Sequence, residues 1–261
     1  MIQFVTDSSL RIVKGDIRDA EELSDAMAGA NCVVHLAAIS DLRYSMRHPT
    51  VCRSVNVRGT QRVVDACISN AVTKLLFASS SSVYGDVSTL PLTEESPLVP
   101  ASVYGETKLA GEKACKAAPA GLEVSIFRLF NVYGWPRSLA GGSAIDEFVT
   151  RVLDGLPPKI HGDGEQRRDF VHIDDVVQAF MRSLKVASQG VFNIGYGESV
   201  SINSLAATIL AIAGRDDLVP VHDRGVAGEV TRSQADISLA RRRLKYEPRV
   251  TLSEGLRRLM K

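Results

Sequence analysis

Tyr104 and Lys108 stand four residues apart in Tyr104-Gly105-Glu106-Thr107-Lys108, behind a serine cluster running from Ser79 to Ser82. On a helix, positions i and i+4 share a face, which puts the Lys108 ammonium beneath the Tyr104 phenol. A phenol with a pKa of about 10 is a poor base at neutral pH, and a neighbouring cation lowers that value. A phenolate made available in this way takes a proton from a sugar or alcohol hydroxyl, and Ser80 is placed to hold the same hydroxyl. A Tyr/Lys pair alone is more often structural. The order of signals gives this one weight, because the apolar run Lys74-Leu75-Leu76-Phe77-Ala78 leads straight into Ser79-Ser80-Ser81-Ser82-Val83-Tyr84-Gly85. Open α/β sheets place their chemistry where strands end in this manner.

The elements that must position these groups follow from the apolar spacing. Leu10 to Lys14, Cys32 to Leu36 and Leu75 to Ala78 are short β-rich runs, and the first two are separated by a helical stretch, Ala20 to Met27. Strand, helix, strand alternation predicts a parallel sheet. Val57 to Val72 is expected to be a crossover helix, Tyr104 to Ala117 the next helix, and Val124 to Leu129 a buried strand. From Gly134 to Gly164, Pro and Gly thicken, which predicts loops around a ligand site. Phe170 to Ile173 then leads into a helix opened by Asp174 and Asp175, whose charges complement the helix dipole. Gly190 to Gly197 is expected to form a strand and turn, with helices over Ile202 to Ala213 and Leu252 to Met260.

At 261 residues and 45% hydrophobic, the chain can bury a substantial core. A formal charge of +1 with scattered basic residues predicts neither a nucleic-acid nor a membrane-surface partner. Arg241-Arg242-Arg243 is expected to be the solvated face of a late helix. Cys32, Cys52, Cys67 and Cys115 lack paired spacing, so neither a metal site nor a disulfide framework is expected, and a cytoplasmic setting fits. No apolar run is long enough to span a bilayer.

Several short strings together resemble the extended short-chain dehydrogenase/reductase family, and within it the UDP-glucose 4-epimerase-like group of NAD-dependent nucleotide-sugar epimerases and dehydratases. They are Gly15-Asp16-Ile17-Arg18-Asp19, His35-Leu36-Ala37-Ala38, Asn56-Val57-Arg58-Gly59-Thr60, the serine cluster before Val83-Tyr84-Gly85, Tyr104 with Lys108, Arg128-Leu129-Phe130-Asn131-Val132-Tyr133-Gly134, and Arg168-Asp169-Phe170-Val171-His172. The resemblance implies a Rossmann-type parallel sheet with helices on both faces and a smaller, discontinuous substrate domain. The NAD-binding part would comprise residues 1–131 and 170–190, and the nucleotide-sugar part residues 132–169 and 191–261.

By the same resemblance, Asp16 and Ile17 would line the adenine pocket, and Leu36, Ala37 and Ala38 would lie along the dinucleotide. Ala38 would equally serve tight helix packing. Phe130 would flank the nicotinamide or be plain core. Asn131 would reach the substrate diphosphate or a nearby sugar, and Arg168 would bind the diphosphate, for which a guanidinium fork is well shaped. Arg167 is expected to be solvated, and His35 to be a packed strand residue. Tyr104 would take the sugar 4-hydroxyl proton while hydride passes to NAD and later returns. Lys108 would hold the cofactor ribose and depress the Tyr104 pKa, and Ser80 would orient the hydroxyl. Glu229 would bind the nucleotide ribose. Ser233 falls where a small residue admits N-acetylated sugars, or it is a surface serine. A homodimer through the helices after Val57 and after Tyr104 is also implied.

Family dehydratases usually carry a carboxylate where this chain has Ser81 and Ser82. A hydroxyl is no base at neutral pH, so epimerisation at C4 of a UDP-hexose is favoured over elimination. Val226 replaces an arginine found in many relatives, with Arg224 a nearby substitute. The strand, glycine-rich turn and helix that open the family's fold have no counterpart after Met1, so the sheet is expected to be N-terminally incomplete, with unpaired edges. Two alternatives therefore stand beside the epimerase: a non-catalytic or truncated sugar-nucleotide-binding protein, and a dehydratase or reductase.

Overall fold

A computed structural model describes residues 10–134, 143–225 and 230–261. Its first helix, α1 (Ala20–Met27), is capped by Asp19, whose carboxylate accepts from the Glu21 and Glu22 amides. β1 (Cys32–His35) follows, then two short helices, α2 (Leu42–Arg47) and α3 (Pro49–Arg53). A π-helical turn, Ser54–Gly59, runs into α4 (Thr60–Ser69), so the crossover helix expected from Val57 begins as a wider turn. β2 (Lys74–Ser80), α5 (Val103–Lys116) and β3 (Glu123–Leu129) then form the central unit.

Beyond it lie β4 (Asn131–Tyr133), α6 (Ala144–Leu153), β5 (Lys159–His161), β6 (Arg167–Arg168), β7 (Phe170–His172) and α7 (Ile173–Ser183). The chain continues through β8 (Gly190–Ile194), β9 (Val200–Ser201), α8 (Ile202–Ala213), β10 (Val221–Asp223), α9 (Ser238–Leu244) and α10 (Leu252–Leu259). The arginine run Arg241 to Arg243 lies on α9 and is exposed, as expected.

Among the described residues the main sheet has four strands in the order β1-β2-β3-β8, every pair parallel. β8 completes it, although the expected domain boundary after residue 190 placed most of this strand in the second unit. Successive β2 side chains alternate between faces. Leu75 and Phe77 pack with Leu23, Val63, Val64, Cys67 and Ile126 on one side, while Leu76 packs with Phe127, Phe130, Val176 and Phe192 on the other. Burial on both faces explains the continuous apolar run of β2. A third cluster, built from α6, α8 and α10, gathers Phe148, Leu205, Ile209 and Leu256.

Two expectations change. Leu10 to Lys14 is not a strand: among the described residues it has no ladder partner, and Leu10, Ile12 and Val13 are exposed. A strand is held by its neighbour's backbone groups, and β1 is the outer strand here, with Val34 exposed. Within the stretch expected to be loops, α6 and β5 form, because Ile145, Phe148, Val149 and Val152 recur at helical spacing and are buried. On α4, Val63, Val64 and Cys67 are buried in the chain's own core and Ile68 is exposed.

Candidate active site

Helix α5 reaches the end of β2 because it lacks side chains where the two meet. A Cβ on Gly105 would fall 2.5 Å from the Ser82 carbonyl oxygen, and one on Gly111 would fall 2.8 Å from the Phe77 ring. Ser102 caps the helix, accepting from the Gly105 amide at 3.1 Å. This close approach brings the Tyr104 phenol into the neighbourhood of Ser80, whose hydroxyl favours the anionic form. The Ser80 hydroxyl also donates to the Ser82 hydroxyl and accepts from the Ser82 amide, both at 3.1 Å.

Lys108 lies one turn behind Tyr104, buried, with its Nζ 5.8 Å from the Tyr104 ring centroid and 5.1 Å from that of Phe77. Its ammonium donates to the Ala78 carbonyl at 2.7 Å. Burial pulls the lysine down to about 8. The sequence predicts that Lys108 depresses the Tyr104 pKa. In the structure the phenol is pushed up to about 12, burial being the largest cause and the nearby Ser80 hydroxyl opposing it. Desolvation disfavours the phenolate more than the nearby amine helps it, and that amine is itself committed to the Ala78 carbonyl.

The residues expected along the cofactor surround the carboxyl end of β1. Leu36 and Ala37 are exposed and Ala38 is half-buried, forming an open shelf. Ile17 lies against Gly59, where a Cβ would come within 2.5 Å of the isoleucine Cδ1. Asp16 is exposed, and its carboxylate, gripped by the Arg18 guanidinium at 2.9 and 3.0 Å from Nε, is lowered to about 2. Phe130 is buried beside Tyr84, ring centroids 6.4 Å apart, which favours its packing role over a nicotinamide contact. His35 is a packed strand residue as expected. Its Nε2 lies 2.9 Å from the Thr60 hydroxyl, and burial lowers it to about 4.

Asn56 belongs to the quoted motif but not to the expected site. Its Oδ1 accepts from the Ile39 amide at 2.8 Å, and its Nδ2 donates to the Ile39 carbonyl at 2.9 Å and to Thr107 Oγ1 at 3.0 Å. It thus ties the loop bearing Leu36 to Ala38 to the helix bearing Tyr104. A buried asparagine in an otherwise helical stretch is the only sequence signal for this.

On the substrate side, Asn131 follows β3, whose Leu129 pairs in register with Ser80. Both the Asn131 amide and its Nδ2 donate to the Asp169 carbonyl, at 3.0 and 3.1 Å. Arg168 is half-buried, with Nη1 donating to the Arg167 carbonyl at 3.0 Å. Arg167 is exposed and donates to the Ser199 carbonyl. Ser233 is buried, its amide donating to the Arg167 carbonyl at 3.0 Å, so it is no surface serine. The fully buried Asp169 carboxylate collects the amides of Tyr196, Gly197 and Ala235 at 2.7, 3.0 and 3.0 Å. Glu229 and Val226 lie outside the described residues.

Among the described residues no group of His, Cys, Asp or Glu is arranged for a metal ion, and no helix is long and apolar enough to cross a membrane. The buried Lys108 amine, the Tyr104 phenol and the shelf of small residues at the carboxyl ends of β1 and β2 fit the nicotinamide and ribose of a dinucleotide, since short side chains permit close approach.

Residues 3–195 match the NAD dependent epimerase/dehydratase family. A putative UDP-glucose 4-epimerase of Methanocaldococcus jannaschii is 35% identical over 257 residues, covering 95% of this chain and 82% of the relative. The structure of UDP-glucuronic acid 4-epimerase from Bacillus cereus, in complex with UDP-glucuronic acid and NAD, aligns with a TM-score of 0.91 at 32% identity, over 98% of this chain and 82% of that one. That of DesIV, a dTDP-glucose 4,6-dehydratase from Streptomyces venezuelae with NAD bound, aligns with a TM-score of 0.90 at 31% identity, over 98% and 80%. The Rossmann-type sheet, the Tyr104, Lys108 and Ser80 cluster at the carboxyl end of β2 and these likenesses agree, and the chain belongs to the NAD-dependent family of nucleotide-sugar epimerases and dehydratases.

Proposed function

We propose that this chain epimerises a UDP-hexose at C4, interconverting the UDP-glucose and UDP-galactose configurations and admitting N-acetylated forms. The observation that carries the reading is the placing of the Tyr104 phenol and the Lys108 amine beside the Ser80 hydroxyl at the end of β2, with hydroxyls rather than carboxylates at positions 81 and 82. An elimination needs a base to take a proton from carbon, and Ser81 and Ser82 supply none.

Tyr104 takes the proton of the sugar 4-hydroxyl and later gives it back. Ser80 holds the same hydroxyl oxygen, fixing its distance from the phenol. Lys108 offers its ammonium protons to a cofactor ribose and keeps a positive charge near the phenol. Bound NAD would supply the hydride acceptor and donor at C4, held by Lys108 and the β1 shelf. Leu36, Ala37 and Ala38 would form a floor for the dinucleotide, with Asp16 and Ile17 toward its adenine end. Arg168 and Asn131 hold the diphosphate side of the substrate. The small, buried Ser233 supports room for an N-acetyl group, and a Ser233→Tyr variant that kept equal activity on the N-acetylated sugar would count against that part.

The test is conversion of UDP-galactose to UDP-glucose by the purified chain with added NAD, beside a Tyr104→Phe variant. Turnover is expected in the first and a loss of about 10²-fold or more in the second. A 4-keto-6-deoxy product would sink the epimerase reading in favour of a dehydratase. Failure to bind NAD would favour a non-catalytic binding protein.

A further inference from the structure

Tyr104, Lys108 and Glu112 follow one another at intervals of four along α5, so all three lie on the stripe that faces the sheet. The first two have roles in the proposed chemistry. Glu112 has none, yet its carboxylate is completely buried. Burial of a charge is costly unless its lone pairs are engaged, and here they are. Glu112 Oε1 accepts from the Ser79 hydroxyl at 2.6 Å and from Arg128 Nε at 2.9 Å, and Oε2 accepts from Arg128 Nη2 at 2.8 Å. Lys116 adds a longer contact from the surface, at 3.7 Å.

The partners explain what the pair does. Ser79 is the residue before Ser80 on β2, and Arg128 is its register partner on β3. A single carboxylate therefore fastens the helix that carries Tyr104 to the strand position next to the hydroxyl that Tyr104 must meet. Arg128 extends the connection: its Nη1 donates to the Tyr84 hydroxyl at 3.0 Å and to the Glu94 carbonyl at 2.9 Å. Tyr84 in turn donates to Asn193 Oδ1 at 2.6 Å, and Asn193 Nδ2 donates to the Leu92 carbonyl at 2.8 Å and the Asp236 carbonyl at 3.3 Å. The chain of bonds runs without a gap from α5 across β2, β3 and β8. Bidentate Arg–carboxylate pairs tolerate little movement, whereas apolar packing around Phe77 would leave α5 free to slide by fractions of an ångström.

We propose that Glu112 is a positioning residue: held by Arg128 and bonded to Ser79, it sets the separation between Tyr104 on α5 and Ser80 on β2. This rests on the roles given above to Tyr104 and Ser80, but it concerns a distance present before any ligand binds. Its test therefore needs neither NAD nor turnover, and failure of the epimerase reading would leave the result standing.

The experiment is NMR of the whole chain labelled with 13Cζ-tyrosine at neutral pH. Only six tyrosines contribute signals, and Tyr104→Phe assigns the one of interest. Ser80→Ala defines the resonance of Tyr104 without the neighbouring hydroxyl. In Ser79→Ala, which removes only the tether, the Tyr104 signal is expected to move at least half of the way to the Ser80→Ala position, while Tyr133 and Tyr246 in other parts of the core stay in place. Ser79→Thr, which restores a hydroxyl, is expected to return it. Glu112→Gln should reproduce the Ser79→Ala shift; if that variant misfolds, Ser79→Ala decides alone. A Tyr104 signal that keeps its wild-type position in Ser79→Ala overturns the proposal. Where turnover is measured, kcat should fall about tenfold in Ser79→Ala with KM unchanged, the mark of misplacement rather than lost binding.

Discussion

The bare Cα of Gly105 faces the carbonyl oxygen of Ser82 so closely that a methyl group there would lie 2.5 Å from it. Backbone cannot yield as a flexible side chain does. Gly105→Ala is therefore expected to lift the first turn of α5 from the serine turn and part Tyr104 from Ser80, despite the roughly 1 kcal/mol by which alanine favours a helix over glycine. Steady-state kinetics should show kcat reduced by about 10²-fold, and a kcat within a factor of two of wild type would contradict this placement.

Lys108 gives a signed pH dependence. Its folded value of about 8 lies below the 10.5 of an ordinary lysine. Below pH 8 the folded chain holds an ammonium in a site that disfavours it. Between about pH 8 and 10.5 the unfolded chain keeps a proton that the folded chain has released, so stability rises with pH across that window, by up to about 3 kcal/mol. Lys108→Met lacks this titration. Denaturant unfolding at pH 7 and pH 10 should show wild type gaining on the variant at the higher pH; a constant difference would contradict the burial of the amine.

The Arg128 and Glu112 pair is almost wholly removed from solvent. Arg128→Met should strand the carboxylate and cost about 3–5 kcal/mol. The double change Arg128→Met with Glu112→Leu should recover most of that loss, because two apolar side chains need no partners. Equal losses in the single and double variants, measured by urea unfolding, would show that the two charges do not depend on one another.

Asp169 joins three backbone amides from separate segments: Tyr196, Gly197 and Ala235. In Asp169→Ala those donors lose their acceptor, for an expected loss of about 1–3 kcal/mol. Since Ala235 lies two residues after Ser233, and Asn131 leans on the Asp169 carbonyl, UDP affinity should weaken by calorimetry. Unchanged affinity would separate this carboxylate from the substrate side.

Much of the site was legible because its signals are local. The spacing of Tyr104 and Lys108 fixes a shared helix face, the unbroken apolar run Leu75, Leu76 and Phe77 marks a strand, and the serine cluster fixes where that strand ends. α1 and α8 were likewise set by their own periodicity, and their bounds match the expectation. Leu10 to Lys14 reads as a strand for the same local reasons, but a strand exists only if another lies beside it. α6 was hidden by the Pro and Gly around it.

What the sequence by itself determined is the identity and order of the chemical groups: a phenol, an amine and a hydroxyl in one neighbourhood, with no carboxylate at positions 81 and 82. The tertiary structure decided their electrical state and their geometry. Burial raises Tyr104 and lowers Lys108, opposite to the depression of the phenol that spacing alone suggests, because desolvation depends on everything packed around a group. The same packing made Glu112 and Asn56 matter. Their bonds to Ser79, Arg128, Ile39 and Thr107 join residues far apart along the chain, and only the folded chain brings such partners together.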